Sequence, residues 1–94
     1  MLMTTKPMFD LAYEGGFGIG AFNVNNMEIT QGIIEACAAE KSPCILQISK
    51  GARQYANIRF LRKIIDACVE EYPQVPIAIH CDHGDTLELI QQCI

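Results

Sequence analysis

Three short apolar runs, "FGIGAFNV" (17–24), "CILQI" (Cys44–Ile48) and "PIAIH" (Pro76–His80), alternate with segments of helical periodicity. This alternation is the strongest constraint on the fold. Parallel strands need a crossover of a dozen residues or more between them, so strand–helix–strand–helix–strand reads as consecutive βαβ units on a parallel sheet. The class is therefore α/β. A first helix is expected from Thr5 to about Tyr13, with Pro7 in its first turn, where a missing amide hydrogen costs least, and Gly15-Gly16 ending it. A second covers Met27 to Glu40, capped by Asn26, with Ile29, Ile33, Ala36 and Cys37 forming the apolar stripe until Pro43 forces the chain out of helix. "SKGARQYAN" reads as a loop, and Ile58 to Tyr72 as a third helix with Phe60, Ile64, Ala67 and Cys68 on one face, closed by Pro73. A further helix starts at Thr86, with Leu87, Ile90 and Ile94 as its apolar positions.

Two architectures carry parallel βαβ units, and side-chain alternation bears on the choice. Counting by twos, Ile19, Ala21 and Asn23 share one face of the first strand, Ile45, Gln47 and Ser49 one face of the second, and Ala78, His80 and Asp82 one face of the third. Each row ends in a polar residue. The opposite rows (Phe22, Val24; Cys44, Leu46, Ile48; Ile77, Ile79) are apolar and suit packing against helices. A barrel interior ending in a polar mouth gives this pattern, with Asn23, Ser49 and Asp82 converging at the carboxyl ends of the strands. A doubly wound sheet also places ligands at carboxyl ends, so the pattern favours a barrel without excluding the alternative. The Gly-rich stretch "GGFGIG" precedes the first strand instead of following it and lacks the full G-x-G-x-x-G spacing, which argues against a dinucleotide site.

Composition narrows the class of partner. With 94 residues, half of them hydrophobic and 19% charged, the chain is a single small folded unit or part of one, residues 1–94, with no linker, repeat or low-complexity segment. The net charge is −4, and Lys41, Lys50, Arg53, Arg59, Arg62 and Lys63 are dispersed, so no nucleic-acid partner is expected. No stretch approaches the ~18 consecutive apolar residues of a membrane span, and the N-terminus lacks the apolar core of a secretory signal; a soluble cytoplasmic protein is expected. The five cysteines are odd in number, and free thiols serving as small hydrophobes are expected.

The segment "IAIHCDHGD" (Ile77–Asp85) concentrates both histidines, a cysteine and two aspartates at the end of the third strand. His80 and His83 form H-x-x-H, a weak zinc signal alone, because a catalytic zinc takes three protein ligands and the chain has no other histidine. Asp82 beside His83 suits proton transfer next to a metal-bound substrate, or equally the cap of the following helix. Ser49 and Asn23 suit hydrogen bonding to a phosphate or a hydroxylated substrate, or the ordinary roles of loop residues.

"GAFNVNNMEITQGIIEACAAEKSPCILQISKGAR" followed by "PIAIHCDHGDT" resembles the N-terminal part of the class II, zinc-dependent fructose-1,6-bisphosphate aldolases, in the branch close to the tagatose-bisphosphate aldolases. H-x-D-H-G is much more specific than H-x-x-H. The resemblance implies the first three βα units of a TIM (β/α)8 barrel. It implies a carbon–carbon lyase of glycolysis and gluconeogenesis that reversibly cleaves fructose 1,6-bisphosphate to dihydroxyacetone phosphate and glyceraldehyde 3-phosphate. By the same resemblance, Asp82 is the catalytic acid/base and His83 one ligand of a catalytic Zn2+ that polarises the ketone. Ser49 contacts the phosphate of the phosphorylated sugar, Asn23 positions substrate beside it, and His80 supports the site. Cys81 stands where the family commonly has leucine, and on alternation it faces the helices.

A complete barrel of this kind needs ~250 residues, so the resemblance implies about the N-terminal three-eighths of an aldolase, with the remaining zinc ligands beyond Ile94, in a protein whose complete relatives form homo-oligomers. Two alternatives stay open: a tagatose-bisphosphate aldolase, and a catalytically silent βα assembly fragment. Continuation of the reading frame past Ile94 distinguishes the latter from an enzyme.

Overall fold

In a computed structural model, which describes Met1–Ile94 throughout, eight elements run α1 (Thr5–Gly15), β1 (Gly20–Asn23), α2 (Met27–Ala39), β2 (Cys44–Ser49), α3 (Lys50–Ala56), α4 (Ile58–Glu71), β3 (Ile77–Asp82) and α5 (Leu87–Cys93). The three strands form one parallel sheet in the order β1-β2-β3. Each neighbouring pair is joined by a helical crossover, as parallel pairing requires. No helix is long and apolar enough to cross a membrane.

The two faces of the sheet divide as the alternation predicts, except that Phe22, on the edge strand β1, is 41% exposed instead of packed against a helix. On one face Val24, Cys44, Leu46, Ile48 and Ile77 pack against Ile34 and Cys37 of α2 and Leu61, Ile65 and Cys68 of α4, the main core of the molecule. On the other face Ile45 and Ala78 lie against Met8 of α1, with Met3 and Ile19 at the border. Helix α1 thus covers the amino-terminal end of the face whose carboxyl-terminal end is polar. Complete burial of side chains such as Leu46, Leu61 and Ile65 contributes roughly 1.5–3 kcal/mol each.

The termini of the helices follow local chemistry. Gly16, at φ +67°, ends α1 in the left-handed region with its N–H donated to the Ala12 carbonyl, a conformation that costs glycine nothing. The Asn26 side chain accepts from the Ile29 N–H at 2.9 Å and caps α2.

Four features differ from the sequence reading. "SKGARQYAN" is not a loop: Lys50–Ala56 forms α3, started by the Ser49 hydroxyl, which accepts the Ala52 N–H at 3.1 Å. Strand β3 runs two residues beyond His80, so Cys81 and Asp82 remain on the ladder, paired with Ile48 and Ser49. The buried stripe of α2 is Thr30, Ile34 and Cys37, with Ile29 44% exposed, and that of α4 is Leu61, Ile65 and Cys68, with Phe60 69% exposed. Both stripes are rotated by about one residue from the periodicity chosen. Thr30 can occupy the core because its hydroxyl donates to the Asn26 carbonyl at 2.7 Å, which satisfies the polar group internally. In α5 it is Leu89 that is buried, while Leu87, Ile90 and Ile94 are exposed.

Candidate active site

The carboxyl ends of the three strands bring Asn23, Ser49 and Asp82 to one end and one face of the sheet. Ser49 and Asp82 are direct partners in the β2–β3 register, and Asn23 is paired with Gln47, one inward-facing step below. A two-residue step along a strand is about 7 Å, so the three polar side chains form a shallow diagonal row. Gln47 donates from Nε2 to the Asn23 Oδ1 at 2.8 Å, which fixes the orientation of the Asn23 amide. Alternation places Gln47 on this face, although the sequence motifs assign it no part in the site. The available signal was a polar residue within an otherwise apolar inward row.

Asp82 is the focus of the arrangement. Its carboxylate is 22% exposed and lies between two imidazoles: His80 Nε2 is 3.7 Å from Oδ1, and His83 Nε2 is 3.6 Å from Oδ2. At these separations the two imidazoles flank the carboxylate without a hydrogen bond to it. His83 is far more open, with its side chain 84% exposed. The backbone explains the difference. Asp82 is the last residue of β3, whereas His83 sits at φ +54°, in the left-handed region that non-glycine residues seldom adopt. The strand therefore ends abruptly between the two neighbours, one side chain lying along the sheet face and the other thrown outward. Asp82 does not cap the following helix: Thr86 does, its Oγ1 accepting the Leu89 N–H at 3.1 Å. Lys50 Nζ approaches Asp85 Oδ2 at 3.5 Å, linking the start of α3 to the loop after His83.

Cys81 turns away from this row. Its sulfur lies 3.3 Å from that of Cys93 in α5, on the helix side of the sheet, as alternation predicts. Burial pushes its thiol up from the ordinary value, helped by the bond to Cys93 and opposed by Arg53. Gly84 lies close to the same packing: a Cβ there would stand 3.0 Å from Ile90 Cγ1, so a larger residue needs Ile90 to shift by a few tenths of an ångström.

The fit to a metal can be judged from these donors. His83 offers an accessible ring nitrogen with a carboxylate behind it, the form that a metal-ligating histidine commonly takes. No three His, Cys, Asp or Glu side chains of these 94 residues converge on one point, so His83 fits as one member of a ligand set and the chain does not supply the set. Asp82 can take or give a proton beside such a centre, and the Ser49 hydroxyl can donate to an anion while still accepting from Ala52, because a hydroxyl carries one donor and two acceptor positions.

Comparison with known proteins gives a consistent picture. The sequence profile of the family described as fructose-bisphosphate aldolase class-II matches residues 3–94. A fructose-bisphosphate aldolase of Giardia intestinalis is 48% identical over 93 residues, covering 99% of this chain and 29% of its own length. One of Treponema pallidum is 47% identical over 97 residues, again 99% of this chain and 29% of its own length. In three dimensions the YdjI aldolase of Escherichia coli K12 superposes with a TM-score of 0.90 at 27% identity, covering 99% of this chain and 36% of that one. The chain therefore spans somewhat less than a third of the length of these two curated relatives.

Proposed function

The chain belongs to the class-II fructose-bisphosphate aldolase family, and from that premise we propose that it forms the first three βα units of a (β/α)8 barrel aldolase and supplies part of the site for reversible cleavage of fructose 1,6-bisphosphate. The observation that carries this reading is the placement of Asp82 between His80 and His83 at the carboxyl end of β3, in register with Ser49 on β2. Catalytic groups of such barrels sit at the carboxyl ends of several strands.

In this proposal Asp82 moves the proton at the substrate hydroxyl next to the bond that breaks or forms. His80 flanks one carboxylate oxygen from the side of the strand. His83 serves as one ligand of a Zn2+, whose chemistry when bound is that of a Lewis acid toward the substrate carbonyl. Ser49 donates a hydrogen bond to a phosphate of the sugar, and Asn23, oriented by Gln47, positions a substrate hydroxyl or phosphate oxygen beside it. The products are dihydroxyacetone phosphate and glyceraldehyde 3-phosphate. The remaining zinc ligands come from residues outside these 94.

A chimera tests the assignment. These 94 residues replace the matching segment of the Giardia intestinalis relative, to which they are 48% identical, and cleavage of fructose 1,6-bisphosphate is followed by trapping of the triose phosphates. Cleavage that is retained in the chimera and lost with Asp82→Asn supports the proposal. A folded, zinc-loaded chimera whose rate is unchanged by Asp82→Asn would remove Asp82 from the chemistry.

A further inference from the structure

We propose that Cys81 and Cys93 are a redox-active dithiol that forms a reversible disulfide by exchange with a small anionic disulfide. Their sulfurs are 3.3 Å apart although the residues stand on different elements, β3 and α5. A disulfide holds its sulfurs at about 2.05 Å, so closure requires an approach of little more than 1 Å, within reach of small side-chain rotations. Cys37 and Cys68 also lie beside Cys44, and what sets that group apart is its burial. Cys37, Cys44 and Cys68 are buried in the main core, whereas Cys81 and Cys93 are partly exposed.

Access and charge point to the class of oxidant. Cys81 and Cys93 both line an open cavity of about 690 Å3, together with Arg53, Arg59 and Lys63. The ion pairs of the molecule join Lys6 to Asp10, Lys50 to Asp85, Arg62 to Asp66 and the two histidines to Asp82, so none of these three cationic side chains has a carboxylate partner. The Arg53 Nε is moreover buried without a hydrogen-bond acceptor. A cavity with unpaired positive charge beside two thiols suits a disulfide that carries carboxylates, of which oxidised glutathione is the accessible probe.

The exchange balances in two steps. One protein thiol loses its proton and attacks a sulfur of the glutathione disulfide, giving a mixed disulfide and one glutathione thiolate, which takes up that proton. The second protein thiol, also deprotonating, attacks the protein sulfur of the mixed disulfide and expels the second glutathione, which is protonated in turn. Two protein thiols are oxidised and one glutathione disulfide is reduced to two glutathiones. The resulting bond ties the end of α5 to β3 at the residue before Asp82 and encloses His83.

The test equilibrates the protein, expressed from its own reading frame, at low micromolar concentration in glutathione redox buffers. Free thiols are then blocked, and the chain is cleaved on the amino side of aspartate, which separates Cys81 from Cys93 at Asp82 and Asp85. The expected result is loss of two of the five thiols of residues 1–94, with the fragment 66–81, in which Cys68 carries the blocking label, linked through Cys81 to the fragment that holds Cys93 and released by reductant. Cys93→Ser should leave a mixed disulfide with glutathione on Cys81, whereas Cys68→Ser should leave the linked pair intact. Oxidation in concentrated urea should lower the fraction of Cys81–Cys93 bonds several-fold relative to other pairings. Stable mixed disulfides on Cys81 or Cys93 in the unsubstituted protein, pairs involving Cys37, Cys44 or Cys68, or a Cys81–Cys93 yield equal to that in urea would each overturn the proposal.

Discussion

At the scale of single residues, Asp82 and His83 are neighbours in sequence with different settings, because one ends a strand and the other leaves it at φ +54°, and the proposal gives them different duties. In the Giardia chimera, His83→Ala removes the proposed metal donor, so zinc content and cleavage are predicted to fall together. Asp82→Ala leaves the donor in place, so zinc is predicted to stay while turnover falls by ~10²–10⁴, the usual loss for a general acid or base. Metal analysis beside the cleavage rate separates the two, and loss of zinc from Asp82→Ala would contradict this division. Ser49 carries a structural and a proposed chemical role at once, since its hydroxyl caps α3 through Ala52. Ser49→Ala should cost about 1 kcal/mol of stability and weaken bisphosphate binding by roughly 1.5–3 kcal/mol, the worth of a charge-assisted hydrogen bond. Ser49→Asp, which keeps a capping oxygen but repels phosphate, should recover the stability and bind worse still. Equal binding by both variants would leave Ser49 a cap alone. Cys44 gives a pH dependence of different origin. Burial, with Cys37 and Cys68 beside it, pushes its thiol up from 9.0 to about 12. A raised folded value favours the protonated form, so this contribution is fully present below pH 9 and is lost as pH rises from 9 toward 12. Unfolding curves for the chimera and its Cys44→Ala variant should therefore converge across that range; a constant difference would show that Cys44 ionises freely in the folded state.

At the scale of elements, the turn from β3 into α5 is where sequence and packing meet most closely. Thr86 caps the helix through Leu89, and Gly84 lies where a Cβ would crowd Ile90. Thr86→Ala is predicted to cost about 1 kcal/mol by loss of the cap. In the chimera, Gly84→Ala should displace α5 and alter the His83 turn, read as weaker zinc binding without loss of the overall circular dichroism. Unchanged zinc affinity would mean that Ile90 yields at no cost. The order and type of the elements were legible in the sequence, because apolar runs, Pro43, Pro73 and the caps at Asn26 and Thr86 are local signals. Helix α3 was not, since its seven residues carry too little apolar periodicity to announce a helix, and its start depends on a side-chain cap that looks like any loop serine. The stripes on α2 and α4 were misplaced by about one residue because adjacent apolar pairs, Ile33-Ile34 and Ile64-Ile65, fit two helical faces equally well. Packing against the sheet chose between them.

At the scale of the whole molecule, the sheet has one face covered by α2 and α4 and the other covered only at its amino-terminal end by α1. Large apolar side chains remain in water: Phe9, Leu11, Phe22, Phe60 and Leu87 are each at least 41% exposed. Uncovered sheet face and apolar surface invite association with further elements or other chains. The isolated 94-residue polypeptide is therefore predicted to self-associate, and sedimentation velocity at increasing concentration measures it; a monodisperse monomer with a sharp cooperative melt would contradict this. In the chimera the same surfaces meet the rest of the relative's chain, and the sedimentation should be that of the relative itself.

The sequence by itself determined the α/β class, the parallel sheet, the two-faced alternation of the strands and the family, because each is written in short-range patterns: period-two rows, caps, prolines and the H-x-D-H-G motif. It also identified Asn23, Ser49, Asp82 and His83 as the candidates. Only the tertiary structure decided that Asp82 stays on the strand between two imidazoles while His83 turns outward, that Gln47 orients Asn23, and that Cys81 meets Cys93. Those are relations between elements distant in sequence or between neighbours separated by a change of backbone region. They follow from where the strands register and the helices dock, and no local pattern encodes them.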